Sequence, residues 1–344
     1  MTFTLTMKKT GLFLLLAISL SACKNKKDIP DISNIKVNIT VERFDQSFFS
    51  IDTNNIPAGL KKVQQQHPDF YGDFMQEILG VNGSDTSLNT LLVTKEFLRG
   101  YLSIYDSLQL LYKKTDRLQK ELTKAFQFVK YYYPQYKTGK VITFVGPFDA
   151  PGIASTNMGL AIGLQQYAGK DFSVYQSVPG QELFPLYISR RFTPDYITAN
   201  CMKAVVQDLF PDQSGSKTLI EQMIEKGKQW YMLDKFLPGT ADSIKTGYTQ
   251  QQLKWCNQNE GLIWTYIVKN EDLNSLNPTV IQTYIGEAPF TQGFSQELSP
   301  GNMGQWIGWQ IVKKFAGKNP DMKPGDIMKT DARKILEEAK YKPK

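Results

Sequence analysis

The strongest constraint on this chain lies at its beginning. Lys8 and Lys9 precede an apolar run from Gly11 to Leu20, which closes in Leu20-Ser21-Ala22-Cys23. A basic segment, a short apolar segment and small residues before a cut are the pattern of an export signal. The apolar run is about half the roughly 20 residues that a helix needs to cross a bilayer. It is therefore expected to be removed, not kept as a span. Leu-Ser-Ala-Cys matches the lipobox, at which the Cys thiol is acylated before cleavage. The expectation is a signal peptide over residues 1–22 and a lipidated N-terminus at Cys23, with fatty acyl (palmitate-type) chains as anchor. Met7 is a more usual start than Met1, since it places the two lysines first. Several acyl chains, at about 0.8 kcal/mol per buried methylene, hold such a protein on a membrane permanently. Whatever folds after Cys23 thus folds outside the cytoplasm and stays at a membrane surface.

Lys24-Asn25-Lys26-Lys27-Asp28-Ile29-Pro30 has no apolar periodicity and reads as a solvated tether. The expected boundaries are 23–38 for anchor and tether, then 39–344 for one domain. No acidic residue directly follows Cys23, which favours a periplasm-facing protein and leaves inner or outer membrane open. The formal charge of +7 includes Lys8 and Lys9. No basic run or stripe of alternating basic and aromatic residues accompanies it, so a nucleic-acid partner has no support. Cys201 and Cys256 remain after Cys23 is lipidated. They either pair in an oxidising compartment or serve as buried small hydrophobes, and the sequence leaves both open.

Ile35 to Val41 alternates apolar with polar residues, which predicts a half-buried strand. Apolar residues at three- and four-residue steps predict helices over 70–79, 91–112 and 118–132, the last stopped by Pro134. Lys140 to Val145 reads as a strand, with a candidate partner at 158–164. Helices are again expected over 195–210, 217–236, 250–268 and 303–315. Thr249 and Gln252 supply a capping box for the third of these. The Gly-, Pro- and Ser-rich stretch from Tyr284 to Gly301 is a long loop, a length that is usually functional or poorly ordered in a compact domain. The fold class is α+β, predominantly helical, with a small sheet inserted among helices.

Chemistry-bearing motifs are scarce. His67 is the single histidine, whereas a zinc hydrolase needs two or three, typically as His-Glu-x-x-His on one helix face. It reads as a capping or surface residue. No nucleophile elbow, P-loop or dinucleotide fingerprint occurs, and no metal or cofactor is expected. On a continuous helix, Leu253, Cys256, Ile263, Trp264 and Ile267 form one apolar stripe, and Glu260 falls inside it. A carboxylate there must be paired, hydrogen-bonded, metal-bound or protonated, so Glu260 is either a special residue or cement paired with Arg190 or Arg191. Those arginines, in Arg190-Arg191-Phe192-Thr193-Pro194, offer two forks suited to carboxylates. In Met303-Gly304-Gln305-Trp306-Ile307-Gly308-Trp309, Gly304 and Gly308 lie one above the other. Each glycine weakens a helix by about 1 kcal/mol, so close backbone packing is the natural compensation. Trp306 and Trp309 then flank a core contact or a groove wall.

Three stretches carry a resemblance. Leu186 to Pro194, Trp255 to Trp264, and Ser299-Pro300-Gly301 with Gln305 to Val312 resemble the gliding motility lipoprotein GldB family of Bacteroidetes. The lipobox and the ending Lys334 to Lys340 extend the likeness over nearly the whole chain. The resemblance implies a part in gliding motility, in machinery bound up with type IX secretion, and protein partners within it. A second resemblance concerns ancestry. Asn259-Glu260-Gly261 is similar to the glutamate-bearing helix of gluzincin zinc metallopeptidases, and the 195–210 helix falls in the order of their His-Glu-x-x-His helix. That helix here has Lys203, Ala204, Gln207 and Asp208 and no His, so Glu260 does not carry over as a metal ligand. The resemblance implies a metallopeptidase-like scaffold without catalysis, a pseudoenzyme. The resulting expectation is a membrane-anchored component whose cleft binds or stabilises partners through Glu260, Arg190, Arg191, Trp255, Trp264, Trp306 and Trp309. The alternative is an envelope hydrolase in which Glu260 does acid–base work on a peptide or glycan.

Overall fold

A computed structural model describes residues 29–84 and 86–343. The expected signal peptide and Cys23 lie outside the described residues. The strand β1 (Val41–Arg43) runs straight into α1 (Phe44–Phe49), followed by α2 (Ile56–Gln66) and α3 (Pro68–Asp73), the last extended by a π turn over Phe74–Ile78. Two long helices follow, α4 (Leu88–Tyr112) and α5 (Asp116–Tyr132). The strands β2 (Lys140–Phe144), β3 (Ile153–Thr156) and β4 (Gly159–Gly163) complete the sheet. Short helices α6 (Ser173–Gln176), α7 (Val178–Leu183) and α8 (Leu186–Ser189) lead to α9 (Ile197–Leu209) and α10 (Leu219–Phe236). The remainder is helical: α11 (Asp242–Thr246), α12 (Gln250–Gln258), α13 (Glu260–Asn270), α14 (Pro278–Ile285), α15 (Met303–Lys318), α16 (Pro324–Lys329) and α17 (Ala332–Ala339). The architecture is α+β and mostly helical, as the periodicities predict. Among the described residues no helix is long and apolar enough to cross a membrane.

The sheet runs β1-β2-β4-β3, with β1, β2 and β4 parallel and β3 antiparallel on the edge. Strands buried on both faces need apolar side chains on both. Accordingly Val141, Leu160 and Ile162 enter one core while Ile142, Phe144 and Ala161 enter another. The first core gathers α5, α9, α10 and α15. The second is dominated by phenylalanines, with Phe44, Phe48, Phe70, Phe74, Phe97 and Phe144 packed ring against ring.

Three expectations are revised. The strand predicted over 35–41 forms a ladder only at Val41–Arg43. Its alternation survives as burial, with Ile39 and Val41 inside and Lys36, Asn38 and Thr40 outside. Val41 is opposite Val141, so residues before it would need a β2 that extends back past Lys140, where Gly139 turns away at φ +63°. Second, the partner predicted for β2 is present as β4, yet β3 fills the intervening segment and the β2–β4 pairing is parallel. Third, the helix predicted over 250–268 breaks at Asn259 (φ −118°, ψ 19°). Its backbone and side-chain amides both donate to the Trp255 carbonyl, at 3.0 and 2.8 Å, a local bond that competes with helix continuation.

The glycine pair behaves as its spacing predicts. Gly308 of α15 lies directly against Gly227 of α10: a Cβ on Gly308 would run into the Met223 carbonyl oxygen, and one on Gly227 into the Gly308 backbone. At this crossing the two helix backbones touch directly. Cys201 and Cys256 are both buried and both free, so they pack as small hydrophobes.

Candidate functional site

The stretch that ends α8 places Arg190 and Arg191 side by side at the meeting point of three segments. Arg190 is half-buried, and its Nη2 donates to the Gly247 carbonyl (3.1 Å) and to Gln252 Oε1 (3.2 Å). Gln252 is the third residue of α12 and closes the predicted capping box: its Oε1 accepts from the Thr249 amide at 2.9 Å, and Thr249 Oγ1 accepts from the Gln252 amide at 3.1 Å. Its Nε2 donates to the Ser299 carbonyl at 3.3 Å. One glutamine side chain thus ties the arginine segment, the start of α12 and the loop before α15. Tyr248 adds a second tie, donating from its hydroxyl to Asn302 Oδ1 at 2.9 Å.

Arg191 faces the other way. Its two terminal nitrogens donate to the two carboxylate oxygens of Glu287, at 3.1 and 3.2 Å, the bidentate geometry that a guanidinium fork favours. Gly247 makes room for it. This residue is left-handed (φ +78°), and a Cβ there would stand 2.8 Å from Arg191 Cδ. Lys203 of α9 completes the group. Burial pulls its amine down to about 8, the charge of Arg191 pulls in the same direction, and Glu287 opposes both. Arg190 is likewise held below the usual guanidinium range, first by burial and then by Arg191. Arg190, Arg191, Glu287, Tyr187, Gly247 and Asn302 line a small cleft. Its balance is cationic: Arg190 and Arg191 on the wall and Lys203 within electrostatic reach, against one carboxylate.

A family profile described as gliding motility protein GldB matches residues 25–343. The chain belongs to that family. No curated protein and no solved structure matches it. Membership connects the chain with gliding motility and with the cell envelope, and the matched span includes the cleft, the sheet and both cores.

The other residues singled out in the sequence lie elsewhere. Glu260 is not on a buried stripe, because the break at Asn259 makes it the first residue of α13. It is half-exposed and accepts a hydrogen bond from the Tyr341 hydroxyl at 2.6 Å; neither arginine touches it. Trp264 packs edge-on against the same Tyr341 at 5.3 Å, and Trp255 against Phe294 at 6.1 Å, both half-buried. Trp306 and Trp309 are fully buried and build the first core, offering a partner no surface. Trp309 donates through Nε1 to Asp234 at 3.0 Å, and Asp234 also accepts from Lys245.

Two arrangements escape sequence reasoning. Glu287 and Lys203 are single polar residues in unremarkable surroundings, and Gln252 was read only as a capping residue, not as the tie to Arg190. Near the start of the chain, Ser47 Oγ lies 2.9 Å from His67 Nε2, and His67 Nδ1 lies 3.6 Å from Glu42 Oε2. His67 does stand at the N-cap position of α3, but its side chain makes no cap bond. It is half-buried edge-on against Phe44 at 5.4 Å, which places the ring between serine and glutamate. A roomier groove of about 430 Å³ opens between α5, α9 and the end of α10. Arg117 at its rim donates to Glu121 and Asp195, at 2.8 and 2.6 Å.

Proposed function

We propose that this protein is a non-catalytic, lipid-anchored component of the gliding apparatus, facing the periplasm and associated with type IX secretion. In this reading it binds or stabilises a partner polypeptide at the Arg190–Arg191 cleft, and Cys23 keeps that cleft at the membrane. The observation that carries the reading is the cationic excess of the cleft, where two of the family-resembling stretches, Leu186 to Pro194 and Ser299-Pro300-Gly301, meet. A half-buried guanidinium such as Arg190, with a carbonyl and an amide oxygen but no carboxylate as partner, is costly to hold, and a partner that brings carboxylates removes that cost. The metallopeptidase-like ancestry belongs to the same proposal, resting on the order of β4, α9 and Asn259-Glu260-Gly261. A photo-crosslinking residue at Tyr187 in native membranes, followed by mass spectrometry, tests it. The expected result is one specific adduct that disappears in Arg190→Gln/Arg191→Gln. An adduct indifferent to the arginines, or none, overturns the reading.

A hydrolytic reading is favoured by one observation, and it does not involve Glu260. Ser47 Oγ and His67 Nε2 are within hydrogen-bond distance, at 2.9 Å, as a nucleophile and its base would be, while Glu42 stands 3.6 Å from Nδ1, beyond a hydrogen bond. Treatment with a fluorophosphonate probe decides it: covalent labelling lost in Ser47→Ala and in His67→Ala supports an activated serine, and absence of labelling removes this reading.

A further inference from the structure

We propose that Glu287 is an internal stand-in for an acidic side chain of the partner, and that the cleft recognises a segment combining acidic with apolar residues. The inference rests on the partner-binding reading above and adds the partner's chemistry and its competitor. Glu287 already shows what the Arg191 fork accepts, since its two oxygens each take a hydrogen bond from it, at 3.1 and 3.2 Å. The carboxylate side chain is 50% exposed and the guanidinium 18%, so the acid can leave toward solvent while the arginine stays in place. An ion pair exposed on one side contributes little and is readily exchanged.

The loop that bears Glu287 does not depend on that contact. Gln305 Nε2 donates to the Ile285 carbonyl at 2.6 Å just before it, and Thr291 Oγ1 donates to the Pro300 carbonyl at 2.9 Å after it. Gly301 packs so closely on Ala288 that a Cβ would strike the Ala288 carbonyl. Glu287 can therefore swing out from a loop fastened on both sides. When it does, Arg190 and Arg191 face an incoming ligand together, with Lys203 in electrostatic reach of Arg191. Among the described residues neither Arg190 nor Lys203 has a carboxylate partner in a salt bridge. A segment with more than one acid satisfies what Glu287 alone leaves unmet. Apolar surface lies next to it in sequence: Leu183 and Leu186, on the helices that lead into Arg190, are 47% and 50% exposed, and α7 buries no side chain. Acid for the arginines and an aliphatic residue for these leucines define the occupant.

The test uses the full chain in detergent and a short fluorescent peptide of alternating Glu and Leu, with binding read by anisotropy. Wild type should bind it. Glu287→Gln should tighten binding about three- to fivefold, the range that loss of a weak internal competitor allows. Arg191→Gln should weaken it at least tenfold, and Arg191→Lys, which keeps charge without the fork, should not restore it. In the double variant Glu287→Gln/Arg191→Gln the gain should vanish. If Arg191→Gln weakens binding while Glu287→Gln has no effect or weakens it too, the stand-in is wrong and the cleft reading survives. If Arg191→Gln has no effect, both fail. Equal binding of a Lys–Leu peptide, or displacement by millimolar inorganic phosphate, overturns recognition of acidic side chains.

Discussion

Lys203 is the residue whose ionisation the fold changes most consequentially for the cleft. Its amine ionises near 8 in the folded chain, against an ordinary value of 10.5. The unfolded chain therefore binds more protons between those two values, and stability rises with pH across that window. Below about 8 the charged amine is a standing cost. With solvent screening of a half-buried residue, that cost is roughly 1–2 kcal/mol. Replacing it by an uncharged chain of similar length, Lys203→Met, should raise the unfolding free energy by that amount at pH 7 and leave it unchanged above about pH 10.5. Urea titrations at the two pH values check this; a gain equal at both would trace to packing and not to charge. Asp45 matters through its contacts. It is completely buried, yet Arg43 grips it at 2.9 and 2.6 Å, and Thr143 donates to it at 2.6 Å. Asp45→Ala strands the Arg43 charge and should cost about 3–5 kcal/mol in the same titration. Neither residue was legible in the sequence, because what distinguishes them is the set of neighbours supplied by distant segments.

At the scale of elements, the α10–α15 crossing is decided by two glycines. Gly308 and its i−4 neighbour Gly304 were legible as a close-packing pair, since nothing else compensates glycine inside a helix. Their partner Gly227, flanked by lysines in Lys226-Gly227-Lys228, carried no such signal. Gly308→Ala pushes a methyl into the Met223 carbonyl and should destabilise by about 3 kcal/mol or more. Gly317→Ala, in the same helix with open space around the new methyl, should instead stabilise by about 0.5–1 kcal/mol. Thermal melts of the two variants separate steric crossing from helix propensity; two shifts of the same sign would refute the assignment. The helices of high periodicity were read to within a few residues for the same reason that glycines were: the signal is local. Parallel pairing of β2 with β4, the extra strand β3 and the break at Asn259 were not. Each depends on a contact that closes only in three dimensions, and the misplacement of Glu260 follows directly from the unseen break. At the cleft, the arginine pair and the capping glutamine could be named from sequence, whereas their union through Gln252 and the Glu287 contact could not.

The whole molecule is organised around a sheet that serves two cores at once. Alternate side chains of β2 and β4 enter the helical core and the phenylalanine core, so that neither core is closed without the same two strands. The arginine cleft is built from α8, the α11–α12 turn and the loop before α15, on the helical side, while Ser47, His67 and Glu42 belong to the segments around the phenylalanine side. If the sheet couples the two cores, damage to one must be felt in the other. All five tryptophans lie at 230 or beyond, and each is in the helical core or packed against it. Their fluorescence therefore reports that core alone. Phe144 of β2 is fully buried among the phenylalanines, 5.8 Å from Phe70 and 6.1 Å from Phe74, and contacts no tryptophan ring. Phe144→Ala should cost about 3–5 kcal/mol. In urea, the tryptophan and far-ultraviolet circular dichroism transitions should shift together to a lower midpoint with unchanged slope, as one cooperative unit requires. A tryptophan transition that stays at its wild-type midpoint while the dichroism splits would show that the helical half folds without its neighbour, and that the sheet divides the two cores instead of joining them.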